Sequence, residues 1–137
     1  MPFCNADFQL QICEYDEDCT GGGLCRAVNA TVVTPGQAAQ KLCVGHSDEF
    51  YDRLYDLVIT AESFLDITSL SAPDERFTAA FRNALRYLSN TGREVRVRIL
   101  FGNMIGMPTD TDALLADFTA NLNPTSPITI HIGAWRK

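Results

Sequence analysis

Two hydrophobic periods alternate along the chain from residue 46 onward. Phe50, Leu54, Leu57, Val58 and Ala61 recur three and four positions apart, the spacing of one helix face. Ser47 stands before them as a cap, and Asp48 and Glu49 fill the first turn, where the helix dipole favours negative charge. Residues 63–70, SFLDITSL, are rich in strand formers and hold neither Gly nor Pro. A second helix follows. Ser71 is placed to cap it, Pro73 suits its first turn, and Phe77, Ala80, Phe81, Ala84, Leu85 and Leu88 make one apolar face that Gly92 terminates. Residues 94–102, EVRVRILFG, then switch to a period of two. Val95, Val97, Ile99 and Phe101 point one way; Arg96, Arg98 and Leu100 point the other. A loop leads to a third helix, with Thr109 or Thr111 as cap and Leu114, Leu115, Phe118 and Leu122 inward. Pro124 and Pro127 close it, and a last strand covers 128–135.

The order is α-β-α-β-α-β. Strands joined through helices imply right-handed crossovers and a mainly parallel sheet covered by flanking helices, an α/β fold. Three strands make a small sheet, and the last would carry an unpaired edge unless more chain follows. The α/β part is therefore expected to be incomplete.

Residues 1–45 follow neither period. All five cysteines lie here: Cys4, Cys13, Cys19, Cys25 and Cys43. The expected division is a Cys-rich segment at 1–45 and an α/β domain at 46–137. With little periodic apolar pattern, the first segment is expected to be irregular and held by disulfides rather than by a hydrophobic core. Choosing the spare cysteine in five ways and pairing the other four in three leaves fifteen patterns. The pairing carried forward is Cys13–Cys25 with Cys19–Cys43, leaving Cys4 to pair with a residue outside the chain. No metal site is expected, because the segment has no C-x2-C knuckle and no His at ligand spacing. Glu14 to Asp18, EYDED, lacks the ligand order of an EF-hand and reads as a solvated acidic loop.

Charge narrows the partners. The net charge is −6 and no run of Lys or Arg stands out, so binding to nucleic acid phosphate is disfavoured. No stretch approaches the roughly 18 apolar residues that cross a bilayer. The start, MPFCNADFQL, lacks the basic and apolar regions of a signal peptide; either no signal exists or it was removed or omitted. The dense cysteines and the sequon Asn29-Ala30-Thr31 nevertheless point to a secreted or otherwise extracytoplasmic protein, with Asn29 as a glycosylation candidate.

The blocks LVITAES, FLDITSL, ALRYLSNTGREVRVRILFG and ITIHIGAWRK together resemble the opening of a phospholipase D superfamily domain over residues 46–137. The resemblance implies a half domain of that fold and a lipid-degrading or other phosphodiester hydrolase. Its signature, His-x-Lys-x4-Asp, follows a strand like 128–135, and two copies face each other across one site. One His attacks phosphorus and forms a phosphohistidine, the other protonates the leaving oxygen, and the lysines hold the phosphate oxygens; no cofactor is needed. This chain contains no such signature. His46 and His131 both lack a Lys two positions on, and His131 reads as a structural imidazole on the same strand face as Thr129 and Gly133. No catalytic residue is thus expected in this chain. The resemblance implies a C-terminal catalytic part as its partner, covalent or as a separate chain; the acidic balance and exported look favour phospholipid head groups over nucleic acid as the substrate.

Substrate-lining candidates are sought at the C-terminal ends of the strands, where open parallel sheets place ligands. They are Thr68, Ser69, Asn103 and Trp135. Trp135 reads first as a packing residue and second as a substrate-stacking or membrane-facing aromatic.

Overall fold

The computed structural model describes residues 10–70, 74–103 and 108–135. In chain order the elements are β1 (Leu24–Val28), β2 (Gln40–Val44), α1 (His46–Ile59), β3 (Phe64–Ser69), α2 (Glu75–Thr91), β4 (Arg96–Gly102), α3 (Thr111–Thr119) and β5 (Thr129–Trp135). Two short 3-10 turns lie at Asp16–Asp18 and Asn29–Thr31. The fold is mixed α/β: one parallel sheet in the order β3-β4-β5 and a separate antiparallel pair, β1-β2.

The strand order dictates the layering. Each strand lies beside the one before it, so successive right-handed crossovers march in one direction and leave their helices on one face. Val97, Ile99 and Phe101 of β4 are buried on that face, with Leu65, Ile67, Ile130 and Ile132 packed around them. The opposite face is exposed. The sheet is therefore covered on one side only, where the alternation of strands and helices had suggested a general covering.

The Cys-rich segment is not irregular. It contains the β1-β2 hairpin, and its Leu10, Val28, Ala30, Leu42 and Val44 join one hydrophobic cluster with Tyr55 and Val58 of α1 and Phe81 and Leu85 of α2. Hydrophobic packing thus contributes to the segment alongside its cross-links. Disulfides join Cys13 to Cys25 and Cys19 to Cys43. Cys25 and Cys43 stand opposite each other in the hairpin register, so both bridges anchor at the same rung. Cys4 lies outside the described residues. The boundary near Gly45 falls between β2 and α1.

The helix caps differ from the expected ones, and two of the three are aspartates that accept from free N–H groups of the first turn. Asp74, not Ser71, caps α2 by accepting from Phe77 N at 2.8 Å. Asp110, not Thr109 or Thr111, caps α3 through Ala113 N at 3.0 Å. At α1 the cap residue is Gly45, whose N–H donates to Asp48 at 2.7 Å, and Ser47 lies inside the helix. Ser71 and Pro73 fall outside the described residues. The apolar face of α2 is as expected, but that of α1 is turned: Tyr55 and Val58 are buried while Phe50 and Leu57 are exposed. Asn83 donates to Ala30 O at 2.7 Å and Asn90 to Val33 O at 2.9 Å, binding α2 to the segment after β1. Arg93 donates to the carbonyls of Ile59 and Ala61 at 3.0 and 2.8 Å, satisfying acceptors at the C-terminal end of α1.

Candidate functional site

The C-terminal ends of the three parallel strands meet around a small cavity of about 250 Å³. Thr68 and Ser69 close β3, Gly102 closes β4 and Trp135 closes β5; all four line the cavity, with Leu70 and Leu100. The register explains the convergence: Ser69 pairs with Phe101, and Gly102 pairs with Trp135. Gly102 is needed for a steric reason. A Cβ there would collide with the Leu70 carbonyl, so only glycine lets the end of β3 approach β4 this closely.

Three of the four candidates therefore come together, and Asn103 does not. Asn103 N donates to Trp135 O at 3.1 Å, and its side-chain oxygen accepts from Thr109 N at 2.8 Å. Asn103 holds the loop into α3 in place and is not part of the cavity lining. Trp135 is 58% exposed, so it stands at the cavity as an open indole and not as a packed one. The hydroxyls of Thr68 and Ser69 and the indole offer hydrogen bonding and stacking. Among the described residues the cavity lining contains no ionisable nucleophile or base.

A second concavity, about 490 Å³, separates the hairpin from α1. Asp48, Asp52 and Asp56 line it at helical spacing, with Arg26 and Arg53. Their four-residue period was visible in the sequence, but the hairpin that forms the other wall was not. These acids are in structural use. Asp48 is bonded by Gly45 N and by Arg76. Asp52 accepts from Ala30 N at 2.7 Å. Burial pushes the Asp52 carboxyl above the ordinary Asp range, against the opposing pull of the Ala30 and Asn29 N–H groups. A carboxyl with a raised folded pKa binds its proton more tightly folded than unfolded, so its unfavourable contribution appears as pH rises past the unfolded value of 3.8. Asp52→Asn keeps the acceptor for Ala30 N. Its stability relative to the parent is expected to increase from pH 3 to pH 7, read from urea melts at both pH values.

The sequon lies on the 3-10 turn that follows β1. Asn29 is exposed, but its amide donates to Asp56 at 3.2 Å. Thr31 is 4% exposed, donates to Val28 O at 2.7 Å and accepts from Gln40 N at 3.0 Å.

The acidic loop is likewise not merely solvated. Asp18 accepts from Glu14 N and Tyr15 N, which hold its carboxyl below the usual range, and Asp16 accepts from Cys25 N at 2.8 Å. The sulfurs of Cys13, Cys19 and Cys43 lie within 4.8 Å of one another, a metal-like cluster in spacing alone. Each is in a disulfide and has no thiolate to give. His46 begins α1, and His131 is exposed on the open sheet face opposite Arg98. Arg98 itself forms a two-pronged bond to Asp66 at 2.8 and 2.5 Å, the carboxylate contact that a strand arginine usually finds. No helix among the described residues is long and apolar enough to cross a membrane.

No protein-family model matches the chain, and no curated protein matches it.

Proposed function

We propose that this chain is the N-terminal part of an exported phospholipase D-like phosphodiesterase. The catalytic histidine and lysine come from outside the chain, from a C-terminal part of the same protein or a separate polypeptide. Phospholipid is favoured over nucleic acid as substrate because the net charge is −6. The observation that carries this reading is the parallel β3-α2-β4-α3-β5 unit, whose strand ends gather Thr68, Ser69 and an exposed Trp135 around one cavity. Trp135 is then available to a head group or a lipid surface, while the phosphorus chemistry belongs to the partner. Two disulfides are compatible with export, and no helix among the described residues is long and apolar enough to cross a membrane.

The test is hydrolysis of phosphatidylcholine vesicles by the chain alone and by the chain together with its downstream sequence. Head-group release is expected only in the second case. Cleavage of DNA without release from lipid would reverse the substrate assignment. Turnover by the isolated, pure chain would overturn the division of labour.

A second reading is a non-catalytic secreted binding module. It is favoured by the cavity itself, which among the described residues has polar and aromatic lining but no ionisable group. A stable chain that is inactive with the downstream sequence as well as without it decides for this reading.

A further inference from the structure

We propose that the two disulfides form one exchange relay: a dithiol reductant opens Cys19–Cys43, and the Cys43 thiolate then takes Cys13 away from Cys25. The inference is independent of the phosphodiesterase reading. It follows from where the folded chain places the sulfurs.

The sulfurs of Cys13, Cys19 and Cys43 all lie within 4.8 Å of one another, although they belong to two different bridges. The backbone explains the crowding. The segment before the first 3-10 turn runs along the edge of β2 that faces away from β1. Ile12 pairs with Leu42, Cys13 N donates to Lys41 O at 3.1 Å, and Cys43 N donates to Gln11 O at 2.9 Å. Gln11 is thus opposite Cys43, and Cys13, two residues on, projects to the same side. On the other edge Cys43 stands opposite Cys25. Cys43 N is turned to Gln11, and Cys25 N is given to Asp16 at 2.8 Å. The Cys25–Cys43 pair is therefore of the non-hydrogen-bonded kind, in which facing side chains are closest. Cys43 accordingly sits on the central strand of a small ribbon, between Cys13 and Cys25. Cys19 arrives from the turn at Asp16–Asp18, where its N–H donates to Asp16 O at 3.1 Å. These are backbone contacts, so opening one sulfur–sulfur bond does not by itself undo them.

Exposure sets the order of events. Cys13 and Cys25 are each 8% exposed, while Cys19 and Cys43 are half-buried. A thiolate must reach the sulfur it attacks, so the reagent opens Cys19–Cys43 first. The dithiol attacks the Cys19 sulfur and expels Cys43 as a thiolate. Its second thiolate closes on the mixed disulfide, releases Cys19, which takes up a proton, and departs as a cyclic disulfide. The Cys43 thiolate then attacks the Cys13 sulfur. A Cys13–Cys43 bond forms, the Cys13–Cys25 bond breaks, and Cys25 leaves with the electron pair and is protonated. The dithiol is oxidised by two electrons, and the chain is reduced by two while keeping one bridge. Cys25 is the leaving group because it is the bridged cysteine whose sulfur stands outside the trio. The relay thus opens a buried bond that the reductant never touches.

The experiment uses the unaltered chain without denaturant. Iodoacetamide first blocks any thiol outside the two bridges, Cys4 included. An equimolar amount of dithiothreitol is then added, and portions are stopped in acid over time. N-ethylmaleimide labels the new thiols in denaturant, and peptide mapping by mass spectrometry locates the labels and the surviving bridge. The expected product carries label on Cys19 and Cys25 and retains Cys13–Cys43, with label on Cys43 rising first and then falling. Label that stays on Cys19 and Cys43, with Cys13–Cys25 intact, overturns the proposal. So does label on Cys13 and Cys25 with Cys19–Cys43 intact, which is direct attack, or a Cys13–Cys19 bridge, which makes Cys19 the attacker. Repeating the reduction in concentrated urea is expected to abolish the preference for Cys13–Cys43. A preference that survives there would show that the fold does not direct the exchange.

Discussion

Removing either disulfide is expected to lower stability by about 3 kcal/mol, and removing both to unfold the hairpin. The bridged pairs are 12 and 24 residues apart, so each closes a loop of the size for which that figure holds. The loops interleave, and the two effects are therefore less than additive. The loss also reaches the rest of the molecule. Val28, Leu42 and Val44 of the hairpin cover Tyr55 and Val58, so an open hairpin exposes the core side of α1. Domains of this kind carry about 5–15 kcal/mol of net stability, and losing both bridges consumes much of it. Urea melts of Cys13→Ala/Cys25→Ala, of Cys19→Ala/Cys43→Ala and of the four-fold variant measure this. A four-fold variant that melts at the parental urea concentration would show that core packing alone holds the hairpin.

Phe81→Ala is expected to be as severe, at about 3–5 kcal/mol. Phe81 is 1% exposed and lies where α2 meets α3, its ring 5.1 Å from that of Phe118 in an edge-on arrangement and 6.1 Å from that of Phe77. The side chain cannot be replaced by water, and the surrounding helices are tied by the Arg82–Asp117 pair at 2.8 Å, which limits collapse into the void. Leu57→Ala is the internal comparison. Leu57 is 66% exposed, so its loss should change stability by no more than about 0.5 kcal/mol. Had the helical spacing of Leu54, Leu57 and Val58 described the buried face, both substitutions would have been severe.

That comparison shows where sequence reading succeeds and where it stops. The apolar face of α2 was legible because its six positions agree with one another and nothing competes for them. The face of α1 was not, because Tyr55 was left out of the apolar set: it packs its ring in the core and donates its hydroxyl to Val32 O. The alternation in β4 was legible because its buried set is purely apolar. The hairpin was not, because β1 and β2 are short, carry polar exposed positions and are separated by a Gly- and Pro-containing connection that masks the period. A positional rule about strand ends singled out Thr68, Ser69 and Trp135, and the structure has these three along one cavity. Asn103 satisfied the same rule, but its amide was committed to Thr109, a local bond that no spacing announces.

The sequential order β3-β4-β5 also bears on how the protein comes into being. No strand has to be threaded between two that are already paired, so the sheet can be laid down in the direction of synthesis, each new strand docking on the last as it leaves the ribosome. Cross-linking is different in kind: both disulfides join residues made before the sheet, and oxidation can seal that end while translation of the other is still under way.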